Sequence, residues 1–249
     1  MPYGLYLSAA GAEVQRQRLD VLSNNLANVN TVGFKRELAV FQARPNEAVE
    51  QGTAHPAAGS IDNMGGGVFV RQTQTDFSQG AMKATGNATD LAIDGEGFFQ
   101  VEGEDGPLLT RAGDFTLDSL GRLVTQNGRA VLSEAGGPIV LDKRLPFVVS
   151  VHGIVRQNDV EIPLAVVKPR SLADLVKVGD NLFHPLDQVQ PVPLAERQVR
   201  QYMLEQSSVR PMVEMVQLIE TSRAYETNIR MIQHQDEMTS QLLSRVLRA

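Results

Sequence analysis

Both ends of this chain carry apolar residues at a spacing of seven. From Leu5 the step gives Ala12, Leu19 and Leu26; from Ser8 it gives Gln15, Leu22 and Val29. Near the other end it gives Met215, Ser222, Ile229, Asp236 and Leu243, and in parallel Leu218, Tyr225, Ile232, Thr239 and Val246. Two apolar positions per seven make a narrow stripe, the form that suits a seam between helices. A lone helix with such a stripe is marginal in water. The two ends are therefore expected to pack on each other as a coiled-coil pair. The first reads as helix from residue 1 toward about 40, stopped by Asn28, Asn30 and Gly33, residue types that accept the left-handed conformation of helix ends. The second opens at Pro211, behind Ser207-Ser208, and meets no later Gly or Pro. Leu7, Val14 and Val21 fall off the first seam, and Met212, Val216, Ile219 and Met231 off the second. One pair of helices cannot cover all of these. Either they stay exposed on a monomeric hairpin, or further chains cover them.

Between the ends the period drops to two. It sets in at Val68, and turn residues at Asp94-Gly95-Glu96-Gly97 precede the run Phe98-Phe99-Gln100-Val101. Leu108-Leu109-Thr110-Arg111, Phe115-Thr116-Leu117 and Arg122-Leu123-Val124-Thr125 follow. Asn127-Gly128 before Ala130-Val131-Leu132 is a strong hairpin signal. Phe147 to Val151, Gly153-Ile154-Val155 and Ala165-Val166-Val167 continue the pattern, while Ser171 to Val176 reads as a short helical turn capped by Ser171. Short strands at this spacing predict an antiparallel β domain. The fold class is thus α+β, with an all-β domain inserted between paired terminal helices. Residues 1–40 with 205–249 form the helical domain, 41–78 an extended connector rich in Ala, Gly, Pro and Asn up to Gly67, and 79–204 the β-rich outer domain.

Composition narrows the function. The chain has 249 residues and a net charge of −6, which argues against nucleic acid as a partner. It has no Cys, which excludes disulfides, thiol catalysis and Cys-based zinc sites. The opening Met1-Pro2-Tyr3-Gly4-Leu5 lacks a basic segment, and Glu13, Arg16 and Arg18 interrupt any apolar run, so no cleaved secretory signal is expected. His55, His152, His184 and His234 are scattered, and neither a zinc-protease helix motif nor a nucleophile elbow occurs. Gly95-x-Gly97 is followed by Gln100 where a dinucleotide fingerprint needs Gly. The acids of Asp94-Gly95-Glu96-Gly97 lack the calcium-loop pattern, and Glu102, Glu104 and Asp105 read as a solvated turn. The expectation is a non-enzyme with no metal, no cofactor and no small-molecule substrate.

Four stretches resemble the axial proteins of the bacterial flagellum, the rod and hook family. Asn24-Asn25-Leu26-Ala27-Asn28-Val29-Asn30-Thr31-Val32-Gly33-Phe34-Lys35 is similar to its N-terminal signature, and Thr89 to Val101, with Gly95, Gly97, Phe98 and Phe99, to its central motif. Thr110 to Phe115 with Gly121 to Thr125 resembles the block that follows, and Ile219-Glu220-Thr221-Ser222-Arg223-Ala224-Tyr225-Glu226 the C-terminal helix. They occur in the family's order. Within the family the chain looks most like the β-domain-bearing proximal rod members. In Leu204 to Arg210 it departs from the family, with Gln206 where Gly is common and Ser208 and Arg210 where Asn is common.

The resemblance implies a structural subunit of the basal-body rod, in the periplasm, exported without cleavage by the flagellar export apparatus. It implies terminal helices that polymerise into a torque-transmitting shaft, with the β domain outside. Its partners would be copies of itself and other axial proteins. The candidate seam and interface residues are Leu5, Ala12, Leu19, Leu22, Asn24, Asn25, Leu26, Asn28, Val29, Met215, Leu218, Tyr225, Ile229, Ile232 and Leu243. Asn24, Asn25 and Asn28 could cap the helix end locally or carry hydrogen bonds to a neighbour. Gly33 is expected to let Phe34 fold back as an apolar anchor, and Arg223 could pair with Glu226 on its own helix face. The alternatives are a distal rod or hook subunit, and a secreted β-rich binding module dimerised by its helices.

Overall fold

A computed structural model describes residues 3–43, 66–104 and 106–246. The chain divides into two compact units. The first gathers residues 1–27, 37–76 and 210–249; the second holds 28–36 and 77–209.

In the first unit, helix α1 (Tyr3–Ala27) and helix α2 (Pro211–Val246) lie against each other. Contacts of Gly4 with Gln235, Gly11 with Asn228 and Asn25 with Glu214 make the pair antiparallel. At 36 residues, α2 is about 54 Å long, and Pro211 opens it because a first-turn residue needs no N–H partner. Helix α1 ends at Ala27, at the first of the stop residues Asn28, Asn30 and Gly33 and short of residue 40, the expected limit of the helical end. Strands β1 (Arg36–Ala43) and β2 (Val68–Asp76) then pair as a two-stranded ribbon. Most of the expected connector, 44–65, lies outside the described residues. The ribbon runs along α1: Gly67 lies against Tyr6, Leu7 and Ala10, and the Arg18 guanidinium sits 6.0 Å from the Phe41 ring centre. Val14, off the seam by spacing, is nonetheless buried.

The second unit is antiparallel β throughout its ladders. Its strands in chain order are β3 (Met82–Ala84), β4 (Leu91–Ile93), β5 (Phe98–Val101), β6 (Leu108–Thr110), β7 (Thr116–Leu117), β8 (Leu123–Val124) and β9 (Val148–Val149). They continue as β10 (Ile154–Gln157), β11 (Val160–Pro163), β12 (Val166–Pro169), β13 (Leu175–Gly179), β14 (Leu182–Pro185), β15 (Val189–Pro191), β16 (Val199–Gln201) and β17 (Met203–Glu205). The largest sheet has the order β13-β14-β6-β5-β12-β15. A three-stranded sheet, β11-β10-β9, and the pairs β16-β4, β17-β3 and β7-β8 complete it.

Adjacent apolar residues in the largest sheet enter different cores, because strand side chains alternate between faces. Phe99, Leu108, Val166 and Leu182 join the main cluster with Phe115, Leu123, Ile139 and Leu164. Their neighbours Phe98, Leu109, Val167 and Phe183 form a second cluster with Phe77 packed on it. Doublets such as Phe98-Phe99 and Val166-Val167 thus mark a sheet buried on both faces, where strict alternation would leave one face wet. Gly97 has φ 133°, and a side chain there would meet Val166. The Asn127-Gly128 turn closes as expected, Thr125 N–H donating to Arg129 C=O at 2.9 Å. Ser171 caps a single 3-10 turn, Leu172–Asp174, accepting from Ala173 N–H, after which β13 takes over.

Candidate assembly interface

The helix seam is built differently from the simple apolar stripe. On α2 the two buried residues are Glu214 and Thr221, and the same spacing leads on to Asn228 and Gln235, both half-buried. Opposite them on α1 stand Asn25, Gly11 and Gly4. A Cβ at Gly11 would lie 3.2 Å from Asn228 Nδ2, and one at Gly4 2.8 Å from Gln235 Nε2. Leu218, Tyr225, Ile229 and Ile232 flank this polar line, half-buried. Met215 and Leu243, also placed on the seam by spacing, are exposed. On α1, Ala12 and Leu22 are buried, and Leu5, Leu19 and Leu26 are half-buried. Val29, half-buried, lies in the turn beyond α1.

Asn25 joins three elements at the end of this seam, with neither it nor Glu214 exposing any surface. Its Oδ1 accepts from Glu37 N–H at 2.9 Å, and its Nδ2 donates to Glu37 C=O at 2.8 Å. The side-chain amide therefore pairs with β1 as another strand would. Nδ2 also lies 3.4 Å from Glu214 Oε2, and Glu214 is in the first turn of α2, where the helix dipole favours a carboxylate. Asn24 is exposed and reaches Glu37 Oε2 at 3.4 Å. Asn28 caps locally: its Oδ1 accepts from Thr31 Oγ1 at 3.1 Å. Further along α1, the guanidinium of Arg16 holds the Glu13 carboxyl down to about 2 by hydrogen bonding, with Gln17 adding to the effect.

The rest of the N-terminal motif folds into the second unit. Gly33 has φ 65°, and a Cβ there would lie 2.5 Å from the backbone nitrogen of Ala112. Phe34 is buried, with the Lys177 ammonium 4.1 Å from its ring centre. Lys35 and Glu205 are each only 1% exposed, with Nζ 2.6 Å from Oε1. Lys35 Nζ also donates to Ser78 C=O, and Glu205 accepts from Gly80 N–H at 2.9 Å and Arg111 Nη1 at 3.3 Å. Arg111 continues to the Ile93 and Gly95 carbonyls and lies over the Phe98 ring. Burial pushes its guanidinium below the ordinary value, and Glu205 opposes this. In the stretch that departs from the family, Ser208 does the joining: its N–H donates to Phe34 C=O, and its Oγ accepts from Arg36 N–H at 3.0 Å. Arg223 is exposed on α2, and Glu226 lies 3.8 Å from Arg230.

Sequence spacing alone missed Glu214, Thr221, Asn228 and Gln235. The signal was present, since these four also recur every seven residues. Lys35 and Glu205 carried no such signal, being 170 positions apart.

The outward side of the first turns of α2 is apolar, and beyond them exposed charges such as Arg223, Glu226 and Arg230 are interspersed. Met212 is 71% exposed, Val216 53% and Ile219 52%, and Met231, Met238 and Leu242 are exposed further along. None of the described helices is long and apolar enough to cross a membrane.

Three family models match in order: "Flagella basal body rod protein" at residues 5–35, "Flagellar hook protein FlgE/F/G D1 domain" at 92–168, and "Flagellar basal body rod FlgEFG protein C-terminal" at 200–245. The flagellar basal-body rod protein FlgF of Caulobacter vibrioides is 37% identical across 99% of this chain and 98% of its own length. The chain belongs to the flagellar basal-body rod protein family. FlgG of Buchnera aphidicola (Schizaphis graminum) is 34% identical and FlgG of Bacillus subtilis 32%, each over 96% of this chain and 97% of the relative. This rod protein is accordingly a structural, non-enzymatic subunit of the flagellar basal body.

Proposed function

We propose that this rod protein polymerises through its terminal helices into the torque-transmitting shaft. The observation that carries the reading is the apolar outer side of the first turns of α2. Met212, Val216 and Ile219, spaced four and three residues apart, form a line along one side of the helix that stays more than half exposed. A contact between one surface of a subunit and a different surface of the next does not close on itself and builds a filament. Many such contacts along a lattice resist twist without any catalytic group. The functional parts are residues 1–40 with 205–249 as the polymerising ends, 41–78 as connector and 79–204 as the β-rich remainder. Asn24, Asn25, Asn28 and the seam residues serve this assembly by setting the shape of the helical pair. Partners are further copies and other axial proteins, and the export apparatus during secretion without cleavage. The position is FlgF-like and proximal, supported by the 37% identity to a FlgF against 32–34% to FlgG proteins.

The test is Val216→Asp with Ile219→Asp. Both side chains are exposed, so the purified chain should keep its helix content and melting temperature. Cells carrying the variant should lack complete rods in isolated basal bodies and should not swim. Normal rods and motility would refute the assignment of this face.

A further inference from the structure

We propose that the polar line inside the helical pair is its register-determining element. The residues are Gly4, Gly11 and Asn25 on α1, with Glu214, Thr221, Asn228 and Gln235 on α2. Two seven-residue lines lie side by side on the inside of α2, four residues apart. One, through Leu218, Tyr225 and Ile232, is apolar; the other, through Glu214, Thr221, Asn228 and Gln235, is polar. An apolar seam gains from burial but looks nearly the same after sliding by one heptad, about 10 Å. Polar groups at a seam cost stability and fix alignment, because each needs a particular partner.

The layers here differ from one another in the required way. Gln235 and Asn228 stand over glycines, where a Cβ would come within 2.8 and 3.2 Å of them. Glu214 stands beside Asn25, whose amide is already committed to the Glu37 backbone. Those three contacts share one antiparallel alignment, while buried Thr221 spends its hydroxyl on its own helix, donating to Gln217 C=O at 2.7 Å. Sliding α2 by a heptad takes Glu214 away from Asn25 and Gln235 away from Gly4. With the polar line inside, Met212, Val216 and Ile219 are turned outward. Their use by neighbouring subunits rests on the assembly proposed above; the alignment within one chain does not.

The chain has no cysteine, so spin labels can be placed at Ser23→Cys and Arg230→Cys alone. Both positions are exposed, about 20 Å apart along the helix axes. Electron–electron distance measurement on the full chain, diluted into unlabelled protein, should give one population. Gly11→Asn should shift or split it by about 10 Å, and adding Asn228→Gly should restore the single native distance by exchanging large and small across the layer. Replacing Thr221, Asn228 and Gln235 together by Leu should raise the melting temperature while adding a second population one heptad away. The native distance as the single population in Gly11→Asn or in the triple leucine variant overturns the proposal. So does a Gly11→Asn shift that Asn228→Gly fails to reverse while helix content stays native. These readings come from the isolated chain, whereas loss of rods with the register intact would count only against the assembly reading.

Discussion

Glu205→Gln should be among the most damaging single changes to the β unit. The carboxylate faces two cations, Lys35 Nζ at 2.6 Å and Arg111 Nη1 at 3.3 Å, and accepts from Gly80 N–H at 2.9 Å. Glutamine fills the same space, yet it removes the anion and turns a donor group toward one of the cations. Lys35, at 1% exposed, then loses the carboxylate that lies 2.6 Å from its Nζ. Breaking a buried ion pair from one side costs about 3–5 kcal/mol, because the remaining charge stays desolvated. In a chain of this size each kcal/mol moves the melting temperature by about 2–4 °C, so the fall should be roughly 6–20 °C. Urea unfolding should show a lower midpoint with little change in slope. Lys35→Met should also be costly, and the double variant should cost clearly less than the two singles together, since neither partner is then stranded. A loss below about 1 kcal/mol for Glu205→Gln, the range of an exposed pair, or additive single effects, would refute the claim that this cluster acts as one buried unit.

Gly33→Ala should destabilise strongly, since the φ of 65° costs an L residue about 1–3 kcal/mol and the new Cβ would lie 2.5 Å from backbone nitrogen at Ala112; a melting temperature equal to that of the native chain would contradict this. Asp114→Asn should act in the opposite sense at neutral pH. Burial pushes the Asp114 carboxyl above its ordinary value, the nearby Asp90 charge adds to this, and its own backbone N–H partly opposes it. Because the folded state binds the proton more tightly, this group's contribution is favourable below the unfolded carboxylate range and is lost as pH rises through the folded value. The asparagine variant should therefore melt higher at pH 7, with the gap closing on acidification; a pH-independent gap would exclude the mechanism.

Much of this molecule is local and was legible as such. The helical ends, the stop after Ala27 at Asn28, and the turns at Asp94–Gly97 and Asn127-Gly128 follow from backbone preferences within a few residues. The family motifs are equally local strings. The strands from β13 to β17 were less so, because short segments such as Val189–Pro191 and Met203–Glu205 owe their pairing to partners far along the chain. Strand β1 was hidden for the same reason: Arg36 and Glu37 are held by Ser208 and Asn25.

By itself the sequence determined that the ends are helices with seven-residue lines and that a β domain interrupts them, since periodicity records which side chains share a face. Only the tertiary structure decided which of the two adjacent lines of α2 is the more deeply buried. Two lines with the same period are indistinguishable by spacing, and the choice rests on volumes and hydrogen bonds that Gly4, Gly11 and Asn25 supply from the other end of the chain. Likewise only packing could bring Lys35 to Glu205, because a buried charge finds its partner in space and leaves no periodic mark in the sequence.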